Sequence, residues 1–157
     1  MSIIPVVIIV LLTYMSLLKN RLQRAEKITQ NLTAQASHKT NSKIKLVSEN
    51  NTDTLILSPE DLLVIQSSDN YSTIIWEEGL EIKKTLLRST LKRLAAQIKF
   101  AHIVRCHRSY IVNLMRVYSV SGNANGYKLY LKGYPEAVPV ARGYGKEVMQ
   151  ILERISS

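Results

Sequence analysis

Apolar and polar positions change their rhythm twice along the chain. Ile3 to Leu18, IIPVVIIVLLTYMSLL, is an uninterrupted apolar run of sixteen residues without a charge. From Leu18 to Ala36 the apolar positions thin out to spacings of three and four: Leu18, Leu22, Ala25, Thr29, Leu32 and Ala36. From Thr52 onward they gather into short β-like runs at 55–57, 62–66, 71–76, 103–105, 110–112, 117–120, 127–131 and 137–140. Turn-forming stretches separate these runs: Ser58-Pro59, Ser67-Ser-Asp-Asn70, Glu77-Glu-Gly79, Gly122-Asn-Ala-Asn-Gly126 and Lys132-Gly-Tyr-Pro135. Two amphipathic stripes interrupt them. Leu87, Leu91, Leu94, Ala95 and Ile98 predict a helix over 87–98, and Val148, Ile151, Leu152 and Ile155 predict a second, entered through Arg142-Gly-Tyr-Gly145. The fold class that follows is mainly β with short helices, an antiparallel sheet architecture.

The first run predicts one transmembrane helix, residues 1–19. Met1, Ser2 and a snorkelling Lys19 extend a span that is otherwise short of the ~20 residues a bilayer core requires, and Pro5 sits in the first turn, where proline is tolerated. A buried core helix is the alternative. No basic segment precedes the run and no A-x-A-like site follows it, which argues against a cleaved signal peptide. Residues 20–51 are read as a basic juxtamembrane helix and linker, with SHKTNSK at 37–43 as the linker. The weak seam from Leu18 to Ala36 fits either a short coiled coil or a helix lying on anionic lipid. Residues 52–157 form the globular domain.

Charge sharpens this division. Residues 19–45 hold seven Lys and Arg against one acid, residues 46–81 hold eight acids and no Lys or Arg, and residues 82–157 hold fourteen Lys and Arg against three acids. Cations flanking the apolar run stay in the cytoplasm, so the expected placement is the inner membrane, single-pass, with the C-terminal domain in the cytoplasm. The basic C-terminal part calls for a polyanionic partner. A single cysteine, Cys106, makes no internal disulfide and needs no oxidising compartment.

No enzyme is expected. The adjacent pairs Glu60-Asp61 and Glu77-Glu78 have no partner base, and are read as turn solvation. No G-x-S-x-G, P-loop or dinucleotide-binding motif occurs. His102, Cys106 and His107 are too few for a zinc site, so neither metal nor cofactor is expected. The remaining chemistry is the run Val104-Arg-Cys-His-Arg-Ser-Tyr-Ile-Val-Asn113, together with Arg142 and Lys146 at a helix entry. These cationic and hydrogen-bonding groups suit phosphates and base edges, although any single Arg among them, taken alone, reads first as a solvated face.

Four ordered blocks within residues 55–155, DLLVIQSSDNYSTIIW, LLRSTLKRLAAQI, VRCHRSYIVN and VPVARGYGKEV, resemble the LytTR DNA-binding domain. The resemblance implies an elongated arrangement of antiparallel strands with small helices that contacts double-stranded DNA through loop side chains. Carried over by position, it implies DNA contacts from Asn70, Tyr71 and Ser72, from Asn113, and from Arg142 as the base-reading residue, with Lys146 one turn on for phosphate. Arg105 and Arg108 of the central block are read as phosphate contacts or structural ion-pair groups, and His107 is counted with them among the DNA-binding residues. Members of the family commonly carry Ser where this chain has Ala141, so one hydroxyl contact is missing, and the loop at 67–72 varies among them. Family members often join this domain to a phosphoryl-receiver domain; the residues ahead of the resembling blocks are too few for one, so the input is expected from elsewhere. The function expected is that of a sequence-specific DNA-binding transcriptional regulator on the cytoplasmic membrane, with membrane lipid, a second copy of the chain and a membrane sensor as further partners. The alternatives are a membrane-bound module that sequesters another regulator without binding DNA, and an RNA-binding module, disfavoured by the lack of an aromatic stacking pattern.

Overall fold

In the computed structural model the chain divides into two units, Met1–Asn41 and Ser42–Ser157, and the residues described are 8, 9, 11–16, 19 and 42–157. Those of the first unit are helical, and Ile8, Ile9, Leu11, Leu12, Tyr14 and Met15 are exposed. Among the described residues no helix is long and apolar enough to cross a membrane. Most of the predicted span 1–19, and the predicted juxtamembrane helix as far as residue 41, lie outside them.

The second unit is mainly β and antiparallel throughout. Its strands are β1 Ile44–Val47, β2 Thr54–Leu57, β3 Leu62–Ser68, β4 Tyr71–Glu78, β5 Glu81–Leu87, β6 Ile103–His107, β7 Tyr110–Asn113, β8 Val117–Asn123, β9 Gly126–Leu131 and β10 Tyr134–Val140. The helices are α1 Leu91–Gln97 and α2 Arg142–Ser156, with a 3-10 turn at Leu114–Arg116. The strands form a hairpin β1-β2, a three-stranded sheet β10-β9-β8 and a five-stranded sheet β5-β4-β3-β7-β6.

The five-stranded sheet is the middle layer, with a separate core on each face. Leu62, Ile65, Ile74, Ile103 and Ile111 meet the β1-β2 hairpin and α1 through Ile44, Leu46, Leu57, Leu91 and Leu94. Leu63, Val64, Ile75, Cys106 and Val112 meet the three-stranded sheet and α2 through Leu129, Val138, Val140, Val148 and Ile151. A strand covered on both faces reads as a continuous apolar run, which is why Leu62-Leu-Val-Ile65 does not alternate. The register of β3 on β4 shifts between Leu62 and Val64, and this irregularity is what lets the neighbours Leu63 and Val64 serve the same core. Burial pushes the Cys106 thiol up to about 12, so it stays neutral and closed to solvent inside its core.

Three expectations change. Residues 44–47 belong to a strand, not to a juxtamembrane helix or linker: Ile44 and Leu46 are buried while Lys45 is exposed, a period of two too short to stand out in the sequence. Gln97 of α1 holds this strand by donating to Val47 O at 3.2 Å and accepting from Val47 N–H at 2.8 Å. Second, the helix predicted over 87–98 begins at Leu91, where Thr90 caps it by accepting from Arg93 N–H. Leu87 instead ends β5, paired with Ser72. Third, Glu77 and Glu78 end β4 rather than solvating a turn; they pair with Arg116 and Lys83 respectively.

Candidate nucleic-acid interface

Loops distant in sequence are tied together at one end of the sheets by four hydrogen bonds. Ser67 N–H donates to Ser109 O at 2.9 Å, setting the β3-β4 turn beside the β6-β7 turn. Gln66 Nε2 donates to the Tyr110 hydroxyl at 3.1 Å across the same pair of strands. Ala141 N–H donates to Cys106 O at 2.9 Å, which brings the entry of α2 against β6. Arg142 Nε donates to Asn125 O at 3.2 Å, which adds the β8-β9 turn. The cluster is therefore positioned by two backbone–backbone bonds and two made by side chains, all anchored on rigid sheets.

The β3-β4 turn presents Asn70 and Tyr71 to solvent, Tyr71 at 41% exposure. Asp69 adopts φ 53° at the turn, a left-handed conformation that Asp tolerates better than most residues. Ser72 is not available: its hydroxyl is buried and donates to Ser89 O at 2.8 Å. In the β6-β7 turn, Arg105 spends its guanidinium locally, donating to His107 O at 3.3 Å and Arg108 O at 3.0 Å. His107 Nδ1 accepts from Ser109 N–H at 3.1 Å, and its ring tilts against Tyr110 with centroids 5.9 Å apart. Both side chains shape the turn that carries Arg108, which is exposed.

Arg142 and Lys146 are exposed on the first turns of α2. No side chain caps this helix and no acid lies in its first turn, so free N–H groups and the positive end of the helix dipole reinforce the two cations. Gly145 sets how closely the helix entry approaches the sheet: a Cβ there would meet the Tyr127 ring at 3.3 Å. Arg142 has Nε on Asn125 O and the rest of its guanidinium free to donate outward.

Asn113 is not part of this surface. It is fully buried, its Nδ2 donating to Pro59 O at 2.9 Å and Leu62 O at 2.8 Å and its Oδ1 accepting from Met115 N–H at 3.1 Å. The structure thus gathers Asn70, Tyr71, Arg105, His107, Arg108, Arg142 and Lys146 at one end, and removes Ser72 and Asn113 from solvent.

Two contributors escape a side-chain reading of the sequence. Asn125 acts through its backbone carbonyl. Arg88 lies just beyond the ladder in which Ser72 faces Leu87, so it stands beside Tyr71 as a further exposed cation; its place in an apparent helix hid it.

The fold resembles the LytTr DNA-binding domain of a protein described as a methyl-accepting/DNA response regulator from Bacillus cereus, with a TM-score of 0.55 and 18% identity over 71% of this chain and 97% of that one. An uncharacterized response regulatory protein of Vibrio cholerae serotype O1 is 29% identical over 87 residues, which is 55% of this chain and 33% of that protein. Residues 52–153 match the sequence profile of the LytTr DNA-binding domain, and on that match the chain belongs to the LytTr DNA-binding domain family.

Proposed function

We propose that this chain is a sequence-specific regulator of transcription that binds double-stranded DNA while its N-terminal helix holds it on the cytoplasmic face of the membrane. The observation that carries the DNA half is the convergence of Arg88, Arg108, Arg142 and Lys146 with Asn70 and Tyr71 on one turn-built surface. Cations spread along such a surface follow phosphates, while a guanidinium at a helix mouth reaches base edges. No recognition helix is required. The anchoring half is supported by the uncharged run Ile3 to Leu18 and by the exposure of Ile8, Ile9, Leu11, Leu12, Tyr14 and Met15, a concentration of apolar surface that lipid would cover.

The test of DNA binding is a salt titration of residues 42–157 against randomised duplex, followed by sequencing of what is retained. Phosphate contacts from Arg88, Arg108 and Lys146 predict that log affinity falls with log salt at a slope of roughly −3, with one motif enriched. No retention even at low salt would overturn the DNA reading and favour sequestration of another regulator. The anchor is checked separately by washing membranes with alkaline carbonate: the full chain is expected in the pellet and a form lacking residues 1–40 in the wash. Recovery of both in the wash would remove the anchor.

A further inference from the structure

An open sheet edge is a template for another strand, and folded proteins guard such edges with charge, proline, bulges or brevity. β1 and β2 have four residues each. β5 carries Glu81, Lys83 and Lys84. β10 carries Pro135, Glu136 and Pro139, with a register shift between Tyr134 and Val138. β6 is met along its outer side by the entry of α2, through Ala141 N–H on Cys106 O. β8 differs from these in length and composition together. It is seven residues long, Val117–Asn123, without a charge or a proline, and every residue after Val117 is exposed. Among the described strands it pairs only with β9, with a register shift between Val117 and Ser119 and one-to-one partners from Ser119 to Asn123; Gly122 takes φ 91°, so it is over Ser119–Ser121 that alternate residues turn backbone N–H and C=O groups outward. Tyr118 is 71% exposed and Val120 36%.

We propose that β8 is a dimerisation edge: two copies of the chain pair β8 with β8 in antiparallel fashion about a two-fold axis, joining their three-stranded sheets into one of six. A second copy is the partner because the strand is uncharged, so self-pairing brings no like charges face to face, and because antiparallel self-pairing closes on itself, whereas head-to-tail addition would run on into filaments. The pairing sends the two β8-β9 turns, and the Arg142 bonded to each, to opposite ends of the joined strands. The proposal stands on the sheet edge and not on the DNA reading.

Cysteine scanning tests it in the full chain reconstituted in phosphatidylcholine vesicles, because Cys106, the single native cysteine, is fully buried. Tyr118→Cys, Ser119→Cys, Val120→Cys and Ser121→Cys are oxidised separately. Residues facing each other across the axis lie within disulfide reach, whereas those one step away are separated by more than ~7 Å and are not. One position, or one adjacent pair, is expected to cross-link at least tenfold faster than the others. In a second variant, Val120→Lys, added to the fastest-linking background at another position, is expected to slow that reaction tenfold by setting like charges near the axis. Equal rates at all four positions, absence of any cross-link, or indifference to Val120→Lys would overturn the pairing, including where the N-terminal helix alone brings copies together.

Discussion

Asn113→Ala is expected to destabilise the globular unit by roughly 2–4 kcal/mol while leaving the intrinsic DNA affinity of the folded protein unchanged. Its amide donates to two backbone carbonyls, Pro59 O and Leu62 O, from opposite ends of the β2-β3 connection, and caps the 3-10 turn by accepting from Met115 N–H. Alanine leaves a buried acceptor, Leu62 O, and a part-buried acceptor and donor, Pro59 O and Met115 N–H, without their partner, each costing about 1 kcal/mol or more where water cannot replace the partner. At about 4 °C per kcal/mol for a unit of this size, thermal melting should fall by roughly 10 °C. Asn113→Asp should be worse, since a carboxylate keeps the bond from Met115 N–H but cannot donate to either carbonyl and would set its charge against both of them. The check is a melting curve of each variant beside a DNA titration run well below its midpoint. A variant that melts like the parent but no longer retains DNA would return Asn113 to the interface.

This residue also marks what could be read from the sequence. The strand-and-turn grammar of residues 52–140 was legible because β3, β4 and β7 bury both faces, and Leu62–Ile65, Ile74-Ile75 and Ile111-Val112 are apolar whichever way they point. β5 was not, since Glu81-Ile-Lys-Lys84 lies exposed at an edge and Leu86-Leu87 merges with the stripe of the following helix. Asn113 and Ser72 look like surface donors in one dimension. Only the packing that closes over them converts them to internal fasteners. The candidate site divides in the same way. Arg142 and Lys146 were visible as cations at a helix entry, but the contacts that assemble the surface, Ser67 to Ser109, Ala141 to Cys106 and Arg142 to Asn125, are made by or to the backbone over separations that no local pattern encodes.

Arg142→Ala should weaken binding to the selected DNA motif ten- to a hundredfold, with no matching loss on unrelated duplex and little change in melting temperature. The stability half follows from exposure: the side chain makes one hydrogen bond, at the surface, to Asn125 O. The affinity half follows from what that bond leaves over. With Nε held, the guanidinium plane is fixed and its remaining N–H groups project as a fork, the geometry that pairs with two acceptors on a guanine edge and is worth ~1–3 kcal/mol of discrimination. Arg142→Lys should not restore it, because an ammonium keeps the charge but offers no planar fork. Lys146→Ala is the contrasting case, expected to weaken all sequences alike and to reduce the salt slope by about one. In the sequences retained by the Arg142→Ala protein, one base position should become degenerate while the others persist. An equal loss on every duplex from both alanine variants would show that Arg142 reads only phosphate, and would shift base recognition to Asn70 and Tyr71 on the neighbouring turn.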